Sequence, residues 1–226
     1  MKRTLSLILI LGLLAVSCKQ KLGPKKIEPS FKVLAAIDTT NFERLDVKIG
    51  DLDQDTIPEK VMVFDTGEKG EFGSKRILLI YKKYKGEWVL WQQSGSVILD
   101  SEQGGIWGDP FEDISIEEQS IVINHFGGSK PKWRYKHRFR LLQNDFHLVH
   151  AKVFFASPCD YFEDFNYDLT TGKITFDKEI DNCESETNTR EKREHTMKLD
   201  SLPRMNNFQI GENKFTFPNS DITVYY

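Results

Sequence analysis

The sequence predicts a mainly β domain, an antiparallel meander, sandwich or open barrel, with a short N-terminal helix. Three observations carry this. Apolar residues recur with period two, as in Ile114, Ile116, Ile121 and Ile123, the mark of strands with one buried face. Turn-forming pairs such as Lys85-Gly86, Asn144-Asp145 and Thr171-Gly172 separate β-rich runs, as in hairpins. No helical segment of ten residues stands between those runs, which argues against an alternating parallel α/β sheet.

Taken in order, Ser30 to Ile37 reads as the short helix, with Ser30 as its cap. Val61-Met62-Val63-Phe64 is an apolar strand after Pro58, and Arg76 to Tyr84 pairs with Glu87 to Trp91 around Lys85-Gly86. Ser96 to Leu99, Ile114 to Ile116 and Ser120 to Asn124 follow as short strands. Trp133 to Leu141 is the clearest strand. Its odd positions are aromatic or apolar except His137, and its even positions are all basic, so one face packs inward and the other meets water. Asn144-Asp145 turns the chain into Phe146 to Phe154, and Tyr161 to Leu169 pairs with Lys173 to Phe176. Half of residues 181–200 are charged, which reads as a solvated loop or exposed helix. Phe215-Thr216-Phe217 and Ile222 to Tyr226 return to β character as closing strands.

The start of the chain carries an export signature. Lys2 and Arg3 precede a mostly apolar stretch from Leu5 to Val16, and Ala15-Val16-Ser17 leads into Cys18. Those twelve apolar-rich positions are too short to cross about 30 Å of hydrocarbon, which takes roughly twenty residues, but they suit a cleaved signal. Residues 15–18 resemble the lipobox of bacterial lipoproteins, with Ala15 where Leu is commoner. The resemblance implies cleavage after residue 17 and diacylglycerol and palmitate on Cys18. Residues 18–29, with Pro24 and several lysines, then read as a tether, and 30–226 as one domain. Lys19 differs from the aspartate that holds lipoproteins at an inner membrane, so in a Gram-negative cell the expected address is the outer membrane, facing periplasm or exterior.

Removal of Lys2 and Arg3 leaves 29 basic against 34 acidic residues, a formal charge of −5. No basic stripe with interleaved aromatics is present, so nucleic acid is not an expected partner; the acyl chains rather than surface charge would hold the membrane. Besides Cys18 the cysteines are Cys159 and Cys183. In an oxidising compartment they can pair, and closing a loop of about 25 residues would stabilise by roughly 3 kcal/mol on the chain-entropy model. Two free thiols are the alternative.

Three groups of residues bear on chemistry. The first is Asp51-Leu52-Asp53-Gln54-Asp55-Thr56-Ile57-Pro58-Glu59. Carboxylates of Asp51, Asp53, Asp55 and Glu59 with the Ile57 carbonyl suit a hard cation that takes six to eight oxygens. The stretch resembles the Asp-x-Asp-x-Asp-Gly-x-x-Asp calcium loops of secreted β repeat proteins and dockerins, which implies a structural calcium. Thr56 stands where that pattern has glycine, and Met62 where an EF-hand has its bidentate Glu. An acidic turn bonding its own backbone is the competing reading.

The second group is Gly104-Gly105-Ile106-Trp107-Gly108-Asp109-Pro110-Phe111 with His125-Phe126-Gly127-Gly128-Ser129 and Trp133-Arg134. Trp107, Asp109, His125 and Trp133 are the residues to line a glycan groove, and packing aromatics with a turn aspartate are the other reading. Together with the acidic loop, these segments resemble a family of uncharacterised bacterial secreted proteins and lipoproteins over about residues 46–177. The resemblance implies a domain type but no activity.

The third group is His125, His137, His147 and His150, whose strand facing does not bring them together as zinc ligands without a bulge. No G-x-S-x-G, H-E-x-x-H or P-loop pattern occurs. Asp109, Glu112 and Asp113 are the carboxylates available to a hydrolase. The expectation is therefore a lipid-anchored envelope protein that binds an envelope protein or glycan, with catalysis the lesser alternative.

Overall fold

The computed structural model describes residues 29–180, 182–184 and 189–226. The expected signal segment, Cys18 and the expected tether up to residue 28 lie outside the described residues. Two antiparallel meanders make up the fold. The first sheet contains β1 (Glu43–Gly50), β2 (Glu59–Gly70), β3 (Gly73–Tyr84) and β4 (Glu87–Ser94), in that spatial order. The second contains β5 (Phe111–Glu117), β6 (Ser120–Gly128), β7 (Lys132–Leu142) and β8 (Asp145–Ser157). It continues through β9 (Tyr161–Asp168), β10 (Lys173–Ile180) and β11 (Thr189–Thr196), again in chain order. A short hairpin of β12 (Lys214–Thr216) and β13 (Thr223–Tyr225) follows. The expected mainly β class is the one observed, in its antiparallel meander form and with no closed barrel among the described residues.

The two sheets meet along β1 and β5. There the Asp46 carboxylate accepts the Ile114 backbone N–H at 3.0 Å. Burial alone would raise the pKa of Asp46, but the Ile114 amide and Lys48 outweigh it and hold the carboxyl below its usual range.

Period two explains the second sheet. Tyr135, His137 and Phe139 of β7 are buried on the inner face, and Arg134, Lys136, Arg138 and Arg140 stand on the outer one. The inner face joins Val61, Val63, Leu78, Ile80 and Trp91 of the first sheet in one core. Segment 197–226 fills the space between, contributing Met205, Phe208, Phe215, Phe217 and Tyr226. Its backbone is satisfied on β8, where Leu148 N–H donates to Pro203 and Met205 N–H donates to Phe146.

A second, smaller cluster of Phe64, Leu79 and Leu90 lies on the opposite face of the first sheet, under Leu34, Ile37 and Phe42. The runs Val61–Phe64 and Ile77–Ile80 do not alternate because both faces of these strands are covered. The same cover explains why the helix expected at Ser30–Ile37 does not form. Residues 30–37 hold no helix; instead the Leu34 N–H donates to Leu90 O at 2.9 Å. A helix of so few residues is marginal in water, and this path places Phe31 against Trp91 and Leu34 against Leu90.

Two further expectations are corrected, and one left open between two readings is decided. Ser96–Leu99 is a bend rather than a strand, although Val97 and Ile98 are buried. The Ser94 hydroxyl accepts the Ser96 N–H and donates to Met205 O, turning the chain away from β4. Within 181–200, residues Thr189–Thr196 form edge strand β11, not a loop or helix. Its charges read as solvated because it is an edge, and they pair across the ladder, as Arg190 does with Asp177 at 2.7 Å. A charged edge also resists pairing with other chains. Cys159 and Cys183 are joined, with Cα atoms 4.9 Å apart, tying the β8–β9 turn to the segment after β10.

The β7–β8 turn uses Gln143 and Asn144, one residue earlier than expected, with φ of 52° and 67°. The β5–β6 turn uses Glu118 and Gln119 at 49° and 55°. Two-residue hairpins need positive φ at both positions, which side chains other than Gly and Asn resist. Gln119→Gly is therefore expected to stabilise the domain by about 1 kcal/mol. Urea unfolding should show a higher midpoint with the slope unchanged, and an unchanged or lower midpoint would rule out strain at this turn.

Candidate functional site

The acidic loop between β1 and β2 closes on its own carboxylates. Asp51 accepts the Gln54 N–H at 2.7 Å and the Thr56 N–H at 3.1 Å, and Asp55 accepts the Ile57 N–H at 2.8 Å. Thr56 adopts φ 68° despite its branched side chain, held there by the Asp51 bond. Leu52 anchors the loop in the core, and its N–H donates to Glu59 Oε2 at 2.8 Å. Carboxylate oxygens of Asp51, Asp53 and Glu59 lie within 4.8 Å of one another, the one such group with metal-ligand chemistry among the described residues. Ile57 is exposed.

A residue outside the loop enters this cluster. Lys82 of β3 pairs with Asp53, and its Nζ lies 3.1 Å from Asp55 and 3.6 Å from Glu59. Its side chain is 8 % exposed and Glu59 is fully buried. The rings of Trp91 and Phe31 stand 4.9 Å and 5.4 Å from the ammonium, a cation–π cage. Burial pulls the Lys82 pKa down, but bonds to Asp53 and Asp55 outweigh it and hold the amine above its ordinary value. Glu59 is pushed up, chiefly by burial; the Leu52 amide opposes this, and the charge of Asp53 adds to it. A divalent ion about 4 Å from an ammonium meets repulsion on the order of 8 kcal/mol at an effective dielectric constant near 20. The carboxylates of Asp51, Asp53 and Glu59 lie close enough together to share a cation, but with Lys82 in place they do not fit calcium.

The glycine-rich segments form a structural knot. Gly104 N–H donates to Gly108 O at 2.8 Å, and Gly128 N–H donates to Gly104 O at 3.0 Å. A Cβ on Gly104 would stand 2.3 Å from Gly108 O, and one on Gly127 would stand 2.4 Å from the Trp133 ring, so neither position admits a side chain. Asp109 caps Phe111 N–H at 3.0 Å and takes the Arg76 guanidinium at 2.8 Å. The four residues expected to line one groove do not share a face. Trp107, half exposed, packs on Phe126 of the outer face. Trp133 packs on Tyr135 of the inner face, and His125 is fully buried there.

The histidines likewise form no metal-ligand set among the described residues. His125 Nε2 accepts the Leu99 N–H at 3.3 Å, and His137 lies between Tyr135 and Phe208. Burial, aided by Arg76 for His125 and by His125 and His150 for His137, lowers both pKa values to about 3. His147 Nδ1 lies 3.2 Å from Leu202 O, and His150 is part of an outer hollow with Arg138 and Asp168. The carboxylates available to a hydrolase are each engaged elsewhere, Glu112 with Arg134, Asp113 with Asn124 and Asp109 with Arg76.

The outer face of the second sheet carries what sequence reasoning missed. A furrow of about 420 Å³ is lined by residues of β8 to β11. Phe154 and Phe162 stack in it, with centroids 6.5 Å apart and planes 20° apart. Asp164, Thr175, Asp177, Arg190 and Lys192 supply polar groups around them. A second hollow of about 380 Å³ shares Phe154 and Asp164 and adds Arg134, Lys136 and Lys152. The signal for it was present: Phe154 alternates with outward Lys152, and Phe162 with outward Asp164, so each is an aromatic on a charged face. Partial burial of both rings without a core partner marks a concave surface able to stack a flat or apolar ligand face and hydrogen-bond its rim.

No family model matches the chain, and neither a curated protein nor a solved structure shows significant similarity to it.

Proposed function

We propose that this chain is a lipid-anchored envelope protein, held by Cys18, that acts by binding a glycan in the furrow around Phe154 and Phe162. The observation that carries the reading is the stacked aromatic pair set among carboxylates and guanidinium groups. Sugar rings present an apolar face to aromatics and hydroxyls to just such a rim, and pockets of this size take ligands of a few rings. The export signature and Cys18 support an envelope address, with the outer membrane as the site in a Gram-negative cell. The mixed-sign face, in which Lys152 pairs with Asp164 at 2.9 Å and Arg134 with Glu112 at 3.1 Å, suits a neutral polar ligand better than a polyanion.

An array of envelope glycans probed with the full chain in detergent tests this. Binding is expected, with a loss of about tenfold or more in affinity in Phe154→Ala and in Phe162→Ala, at the scale of losing one aromatic stack. Thermal unfolding should move little, because both rings are only partly buried and lie outside the core. An array without signal, or binding indifferent to both substitutions, would remove the glycan reading.

A further inference from the structure

The acidic loop has the geometry of a cation site but holds a cation of its own. Two carboxylate oxygens of the cluster, Asp53 Oδ1 and Glu59 Oε1, are buried without a hydrogen bond, and the Glu59 side chain is fully buried. A group so placed requires a positive neighbour. Lys82 is that neighbour, reaching Asp53, Asp55 and Glu59 from the adjacent sheet strand while Trp91 and Phe31 close over it.

We propose that the Lys82 ammonium is the resident cation of this loop, standing where calcium stands in loops of the same spacing. The compact, rotatable head donates N–H groups to Asp53 and Asp55 and stands within ion-pair distance of Glu59. The four-carbon stem fixes the charge to β3, so the β1–β2 connection is closed independently of the metal supply. Phe31 extends the arrangement to the start of the covering segment, since its ring contacts Tyr84 and Trp91 as well as the ammonium. The device thus joins the loop, β3, β4 and the segment leading from the membrane side of the chain.

Thermal unfolding of the full chain in detergent, in EDTA and in millimolar calcium, with magnesium as the control ion, tests the proposal. The wild type is expected to melt at the same temperature in all three, and calorimetric titration with calcium should give no heat of binding. Lys82→Met should melt several degrees lower in EDTA and regain most of that loss in calcium at concentrations of about a millimolar or below, the range of extracellular calcium modules. Adding Asp53→Asn to Lys82→Met should abolish the recovery. Calcium binding by the wild type would overturn the proposal, whatever the variants do. So would a soluble Lys82→Met that melts like the wild type in EDTA. If Lys82→Met does not fold without calcium but folds with it, the proposal stands. If it folds under neither condition, the wild-type titration decides alone.

Discussion

Unfolding free energy is expected to fall by about 4 kcal/mol between pH 7 and pH 5, because two histidines are buried in a form that cannot take a proton. His125 and His137 are both fully buried, and their pKa values sit near 3 against 6.5 for the free side chain. The unfolded chain therefore binds two protons that the folded chain refuses. Stability from this source is complete above pH 6.5 and is lost as pH falls toward 3. Each histidine contributes a slope of about 1.4 kcal/mol per pH unit well below 6.5. Total stabilities of domains run about 5–15 kcal/mol, so acid unfolding near pH 5 to 4 follows, above the range in which most carboxylates titrate. His137→Phe should halve the slope and cost little at pH 7, since neither ring nitrogen has a partner and the neighbours are Tyr135 and Phe208. Urea titrations followed by tryptophan fluorescence at pH 7, 6 and 5 check this. A flat profile would mean that the folded state opens to hydrate these rings.

Arg76→Met is expected to cost about 3–5 kcal/mol at pH 7, the scale of breaking a buried ion pair. The Arg76 side chain is 3 % exposed, with its Nε 3.3 Å from Asp65 and an Nη 2.8 Å from Asp109. Methionine fills most of the volume and so isolates the charge. Its loss leaves Asp65, 16 % exposed, with no cation beside it, and releases the Asp109 hold on the glycine knot. Asp109 itself is 44 % exposed, so Asp109→Asn should cost only about 1 kcal/mol. Equal costs for the two substitutions in urea unfolding would place the energy in the knot's backbone rather than in the guanidinium.

The legible parts of the fold were those written in local periodicity. The inner and outer faces of β7 follow directly from Trp133 to Leu141, and the hairpins at Lys85-Gly86 and Thr171-Gly172 stand where their turn residues lie. What period two cannot show is a strand whose inner residues find no core. Edge strand β11 has such residues, with His195 against Phe215 as its main apolar contact, so its pattern reads as solvated. At the acidic loop the spacing conveyed the shape and not the occupant. Lys82 stands 29 positions from Asp53 and arrives only because β3 pairs with β2 in a register that sets Lys60 opposite Tyr81. The scattering of Trp107 and Trp133 over two faces follows from Phe126 and Gly127 being adjacent on one strand, a parity that motif order conceals.

The aromatic filling supplied by residues 197–226 has a consequence for how the molecule comes into being. Both meanders have sequence-neighbour pairing throughout, so each can zip quickly once its strands are free. Yet the wall they build stays hollow until Phe208, Phe215, Phe217 and Tyr226 arrive. During synthesis these are the residues that leave the ribosome after every strand of the two sheets. For that interval the nascent protein would show a broad greasy concavity to its surroundings, the kind of surface that holdase chaperones recognise and that drives early association of chains. Maturation is therefore gated by the late segment, and a protease that clipped it would return the finished domain to that sticky, half-built condition.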